Sequence, residues 1–258
     1  MANVSNTLKM IFIKSFIKHL KFLITYLTKA SSDIKQNDTD EAFCIHAKNV
    51  TNFFVRENKI MQKFLNESKY VDYSNEIIQA KVKELFSDNM ADVEKAQIAY
   101  YFVRDEIPHS FDCNATVITA KASEVLKSKT GICHAKANLL AALLRSQNIP
   151  VGFCFEHITL AKDDSMGYCV HAYNAVYLDG HWIKLDARGN KEGVNAQFSL
   201  KNPILAYPPR TQYDEYFFQG IYANPHQATM DMLENASCLQ DIMDKIPEYV
   251  TEEPDIQE

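Results

Sequence analysis

The sequence predicts an α+β fold. Helical periodicity runs through much of the first 146 residues, and strand-like runs with an antiparallel hairpin follow from Pro150 onward. The junction between the two regimes, "KSKTGICHAKANLLAALL" (127–144), sets a cysteine where a strongly apolar helix begins, two residues after a glycine.

Taken in order, "LKMIFIKSFIKHLKFLITYL" (8–27) forms an amphipathic helix. Lys14, Lys18, Lys21 and Thr25 fall on one narrow stripe at i, i+4, i+7 and i+11, surrounded by a wide apolar arc. Lysines in its middle argue against a membrane span. No apolar run with a small-residue cleavage site marks a signal peptide. Two readings stay open: packing on the rest of the protein or on a second copy as a homodimer, or peripheral contact with an anionic membrane surface. "SSDIKQNDTDE" (31–41) is polar and reads as a loop, and residues 42–66 read as helical.

"SNEIIQAKVKELFSD" places Ile78, Val82, Leu85 and Phe86 on one helical face. "DVEKAQIAYYFVRDEI" makes the next helix, with Asp92 as its expected N-cap and Pro108 closing it. A short helix begins at Ser123 and leads to Cys133. "VGFCFEHITL" has the character of a strand, and Asp179-Gly180 is a type I′ hairpin signal flanked by apolar and aromatic runs. After a proline-rich stretch, a last amphipathic helix is expected from His226 to Ile246, with Met232, Ala236, Leu239, Met243 and Ile246 on one face.

The totals bound the function. The 258 residues are 47% hydrophobic and 23% charged, enough to bury a real core. A net charge of -6 argues against nucleic-acid binding. Six cysteines without a CxxC pair do not make a disulfide framework, so a reducing, cytoplasmic setting is expected. Residues 8–27 add the option of membrane association.

The chemistry follows from position. A thiol at a helix N-terminus feels the positive end of the macrodipole and unpaired N–H groups, and both favour the nucleophilic thiolate. Gly131 permits close approach or an unusual backbone angle. In the hairpin, a two-residue loop makes Leu178 face His181, Tyr173 face Asp186 and His171 face Arg188. His171, Tyr173 and Asp186 then share a face, with His171 and Asp186 as diagonal neighbours. Nucleophile, base and orienting carboxylate are the parts of a triad.

"ASEVLKSKTGICHAKANLLAALLRSQNIPVGF" followed by "VHAYNAVYLDGHWIKLDARGN" resembles the transglutaminase-like superfamily of cysteine enzymes, and "LDARGNKEGV" resembles its bacterial cysteine-protease branch. The resemblance covers about Asp92 to Ser199. It implies a papain/transglutaminase-like core, a central helix bearing the cysteine packed on an antiparallel sheet, with extra N- and C-terminal helices. It assigns Cys133 as nucleophile, His171 as general base and Asp186 as the orienting acid. The expected layout is an N-terminal helical extension (1–60), a transglutaminase-like catalytic domain (61–247) and an acidic disordered tail (248–258).

The expected function is a thiol protease, amidase or acyltransferase acting on a protein or peptide substrate through a thioester, with no cofactor. No calcium-binding loop is recognised, which favours hydrolysis over amine transfer. His109, Ser110 and Asn114 in "IPHSFDCN" are candidates to help hold the oxyanion. Tyr173 and Trp182 either wall the cleft or pack the core, and Arg188 either pairs with Asp186 or binds a substrate carboxylate. Two other classes remain: a catalytically silent module recruited by the N-terminal helix, and a zinc-binding structural protein. Cys154 and His157 are three apart in a strand and face opposite ways, which disfavours zinc.

Overall fold

The computed structural model describes residues 55–56 and 58–257. The chain divides into two units, 1–63 and 64–258. Of the first, residues 55–56 and 58–63 are described and are helical. The stripe expected at 8–27 and the loop at 31–41 lie outside the described residues. Among the described residues, no helix is long and apolar enough to cross a membrane.

The second unit begins with helices. Helix α1, Glu76–Leu85, is capped by the Asn75 side chain, which accepts from Ile77 N, and it buries Ile78 and Val82 on the expected face. Helix α2, Asp92–Glu106, starts one residue earlier than expected. Ala91 is the N-cap, and Asp92 lies inside the first turn, where its charge complements the helix dipole. Helix α3, Ala122–Ser128, is tied at its start by Glu124, whose carboxylate accepts from Ala120 N and Lys121 N.

Helix α4, Cys133–Arg145, is the centre of the fold. All thirteen of its residues are buried, so it packs on every side, against α2, α3 and the sheet. Strands β1 (Val151–Thr159), β2 (Tyr168–Leu178), β3 (His181–Leu185) and β4 (Tyr216–Phe217) form one antiparallel sheet in the order β3-β2-β1-β4. The β2–β3 turn has positive φ at both Asp179 (49°) and Gly180 (92°), as a type I′ turn requires. Leu178 pairs with His181 and Asn174 with Leu185, which is the register expected from the sequence.

Two expectations fail towards the C-terminus. The single helix from His226 to Ile246 is two helices, α5 (Gln227–Asn235) and α6 (Leu239–Lys245). Ala236 and Cys238 are extended, and Ser237 gives both its N–H and its hydroxyl to Asp241 Oδ2. A serine beside a carboxylate four residues on offers the backbone a partner that a continuous helix would not use. The acidic tail, expected to be disordered, is anchored. Ile256 bridges Ile221, Ala223 N donates to Asp255 Oδ2, and His157 Nδ1 meets Glu248 O at 2.8 Å. Its charge predicted solvation, but its backbone and carboxylates find partners on the domain.

Strand β1 is buried throughout, including Glu156. Neither oxygen of that carboxyl has a hydrogen-bond partner, and burial pushes it up to about 8. A carboxyl near 4.3 when unfolded therefore keeps its proton in the folded state. Its contribution to stability is fully present below the unfolded value and is lost as pH rises towards about 8. Glu156→Gln is expected to flatten the stability profile across that window, gaining on the order of 2–3 kcal/mol at pH 7. Urea unfolding at several pH values reads this directly, and a mutant profile parallel to wild type would sink it.

Candidate active site

Cys133 is the first residue of α4. The preceding Ile132 is extended and makes no side-chain cap hydrogen bond to the N–H groups of the first turn. Gly131 is needed for space: a Cβ there would lie 3.2 Å from Ala135 Cβ, Thr119 Oγ1 and Val125 Cγ2 alike. Its φ lies outside the left-handed region. Of the two reasons the sequence suggested for this glycine, close approach is the operative one.

Three segments converge on the thiol. Strand β2 brings His171 beside Cys133, close enough for the charge and N–H of its ring to act on the thiol. His171 Nε2 lies 2.8 Å from Asp186 Oδ2, which leaves Nδ1 for the thiol. Asp186, just past β3, is held by two backbone donors as well: Ala206 N to Oδ2 at 2.9 Å and Arg188 N to Oδ1 at 3.0 Å. His171 is 2% exposed and Asp186 1%, so little water screens the pair.

Burial opposes every charge here, and neighbours decide the outcome. At Cys133 burial pushes the thiol up. The charge of His171, its hydrogen bond and the Ala172 N–H outweigh that and hold the thiol below its ordinary value. At His171 burial favours the neutral ring, but Asp186 and Cys133 keep it protonated well above its usual range. Burial also disfavours the Asp186 carboxylate, and the facing imidazole with the backbone donors draws it below its ordinary value. Cys169 provides the contrast: burial, followed by the charge of Cys133, pushes that thiol up to about 12.

The cysteine and histidine open on a cavity of about 680 Å³. Cys133 lines this cavity although the residue as a whole is buried. His109 lines this cavity, set beside the entry to α4 by its bridge to Gly131 and stacked on Phe111 with ring centroids 5.9 Å apart. Burial, and then the nearby Arg188 charge, hold its ring neutral, and Nδ1 is buried without a partner.

The other candidates go elsewhere. The Ser110 hydroxyl lies 3.3 Å from Thr130 Oγ1, and Asn114 is exposed in a left-handed turn (φ 49°); neither lines the cavity. Tyr173 is buried behind His171, and Trp182 packs on Phe64 and Tyr177 at 4.9 and 5.3 Å, so neither walls the cleft. Arg188 does line it. Its guanidinium goes to both oxygens of Asp112, while only its backbone N–H serves Asp186. Among the described residues, no group of three metal-ligating side chains comes together.

The sequence missed Tyr207 and Asp112. Tyr207 lines the cavity and meets the His171 ring edge-on at 5.1 Å. It lies in a proline-flanked loop with no periodicity to signal its direction. Asp112 sits inside the segment singled out for oxyanion donors, but pairs 76 residues away, a distance no local pattern spans.

The family model described as "Transglutaminase-like superfamily" matches residues 79–187, which contain Cys133, His171 and Asp186. No curated protein matches the chain. Among solved structures, a Cytophaga hutchinsonii protein described as a candidate cysteine protease is similar at 20% identity and a TM-score of 0.40, over 50% of this chain and 42% of that one. A structure described as a TGase is similar at 14% identity and a TM-score of 0.30, over 64% and 42%. The chain thus spans less than half the length of either. Residues 79–187 carry a transglutaminase-like superfamily fold.

Proposed function

We propose that the protein is a cysteine-nucleophile hydrolase or acyltransferase acting on peptide or carboxamide bonds. The observation that carries this reading is the continuous contact from Cys133 through His171 to Asp186, open to a cavity at the thiol end. A silent module would not need a thiol held below its ordinary value at the edge of a cavity.

In this reading the Cys133 thiolate attacks the carbonyl carbon, forming a C–S bond as the carbonyl electron pair moves to oxygen. The backbone N–H of Cys133 and an N–H of neutral His109 hold the oxyanion. As the C–N bond breaks, His171 gives its Nδ1 proton to the leaving amine, producing a thioester. Water then attacks, or an amine reaching the same face, with His171 taking its proton and the C–S bond breaking. Asp186 holds the ring in position and stabilises the imidazolium throughout.

The ion pair has a pH window. Its acid limit is the lowered value of Cys133 and its alkaline limit the raised value of His171. Cys133 is therefore expected to alkylate fast at pH 6.5, ahead of the exposed Cys113 and Cys238. His171→Ala removes the charge that most opposes burial and should cut that rate about a hundredfold, since an ordinary free thiol, with a pKa of about 8.5, is about 1% ionised at pH 6.5. Mass spectrometry on native protein reads each cysteine separately. Equal rates at Cys133, Cys113 and Cys238 would end the reading.

His109→Ala is expected to lower the acylation burst with p-nitrophenyl acetate by roughly 10²–10³-fold. The pH limb of Cys133 alkylation should stay in place, and His109→Gln, which keeps a donor, should recover part of the burst. A shifted limb would instead make His109 part of the ion pair's packing.

A further inference from the structure

The cavity at Cys133 carries a charge unlike that of the chain around it. The sequence holds 27 lysines and arginines against 33 acidic residues. The cavity lining holds four of the former, Lys162, Arg188, Lys191 and Arg210, and one of the latter, Glu215. Low-dielectric walls focus such a field on whatever enters, and Phe111, Ile132, Met243 and Ile246 supply walls of that kind.

The pairing inside this group leaves a surplus of positive charge. Arg210 is matched by Glu215, at 2.7 Å. Arg188 and Lys191 share one carboxylate, Asp112, which is drawn down to about 2: burial opposes its charge, and hydrogen bonds from the two cations prevail. Two cations on one anion leave one positive charge over. Only two of the five N–H groups of Arg188 go to Asp112, through its terminal nitrogens. Lys162 is exposed and makes no ion pair among the described residues. The surplus thus sits at Arg188 and Lys191, while at the other basic group Lys162 stands beside Arg210, which donates to the Lys162 carbonyl at 2.6 Å and is also attracted by Asp163 outside the lining.

We propose that the cavity selects an acyl group flanked by carboxylate, the chemistry of an acidic peptide segment with Asp or Glu next to the bond attacked. This rests on Cys133 being the nucleophile, as proposed above. The remaining Arg188 N–H groups and the Lys191 ammonium take one carboxylate by charge-assisted hydrogen bonds. Lys162 draws a second at the other basic group. The thiolate, imidazolium and Asp186 carboxylate carry one net negative charge among them, so the lining cations also offset repulsion between the reacting centre and an anionic substrate.

Iodoacetate and iodoacetamide test this, since they deliver nearly the same alkylating carbon with and without a carboxylate beside it. The ratio of their rates at Cys133, read by mass spectrometry, reports the charge of the cavity. An imidazolium next to the thiolate also favours the anion, so the comparison is between wild type and Lys162→Glu, which reverses one exposed charge and breaks no ion pair. The ratio is expected to fall about threefold or more in Lys162→Glu, to fall in Lys191→Glu, and to fall for wild type on going from low salt to about 0.5 M NaCl. A ratio unchanged in both variants overturns the proposal. Slow labelling of Cys133 by both reagents at pH 6.5 would instead sink the thiolate reading, while the ratio still reports whether the cavity prefers an anion.

Discussion

Every other feature of the site depends on the buried hydrogen bond between His171 Nε2 and Asp186 Oδ2. Two ionisable groups almost free of water would ordinarily neutralise each other by moving the proton. Here Asp186 is satisfied on three sides, by the ring and by the backbone N–H groups of Ala206 and Arg188. Those backbone dipoles are fixed by the loop and cannot reorient away. They stabilise the carboxylate, which holds the proton on the imidazole, which in turn lowers the thiol. The charge at Cys133 is thus set at second hand, by the fold of the segment after β3.

That segment depends on Asp112. Arg188 lends its backbone to Asp186 and its guanidinium to Asp112, so one residue joins the acid of the hairpin to the loop that carries His109. The loop is joined again to the entry of α4 through the His109–Gly131 bridge and the Ser110 N–H to Gly131 carbonyl bond of 3.1 Å. The three chain segments around the thiol therefore hold one another at fixed distance through these bonds. Such mutual bracing is what a pre-organised site requires.

What the sequence could reveal follows the range of each interaction. The hairpin was legible because a two-residue turn determines which residues oppose each other, and that register already places His171 and Asp186 on one face. Cys133 was legible because the apolar run after it marks a helix start. His109 stood among three candidates, since what distinguishes it from Ser110 and Asn114 is that it lines the cavity, which no local pattern shows. Tyr207 and Asp112 gave no sign at all, their roles being set by contacts 36 and 76 residues away along the chain. The tail misled for a related reason: its composition suits solvent, while its docking rests on backbone groups that composition does not describe.

The anchored tail has a practical side. The carbonyl of Pro247 accepts from the N–H of Val170, the residue immediately before His171, at 2.8 Å. The Glu248 carbonyl holds the ring of His157, directly across from Val170 in the sheet. Cutting the chain after residue 246 would therefore remove two contacts to the strands around the imidazole. Residues 247 and 248 are thus part of the scaffold that holds His171 in place.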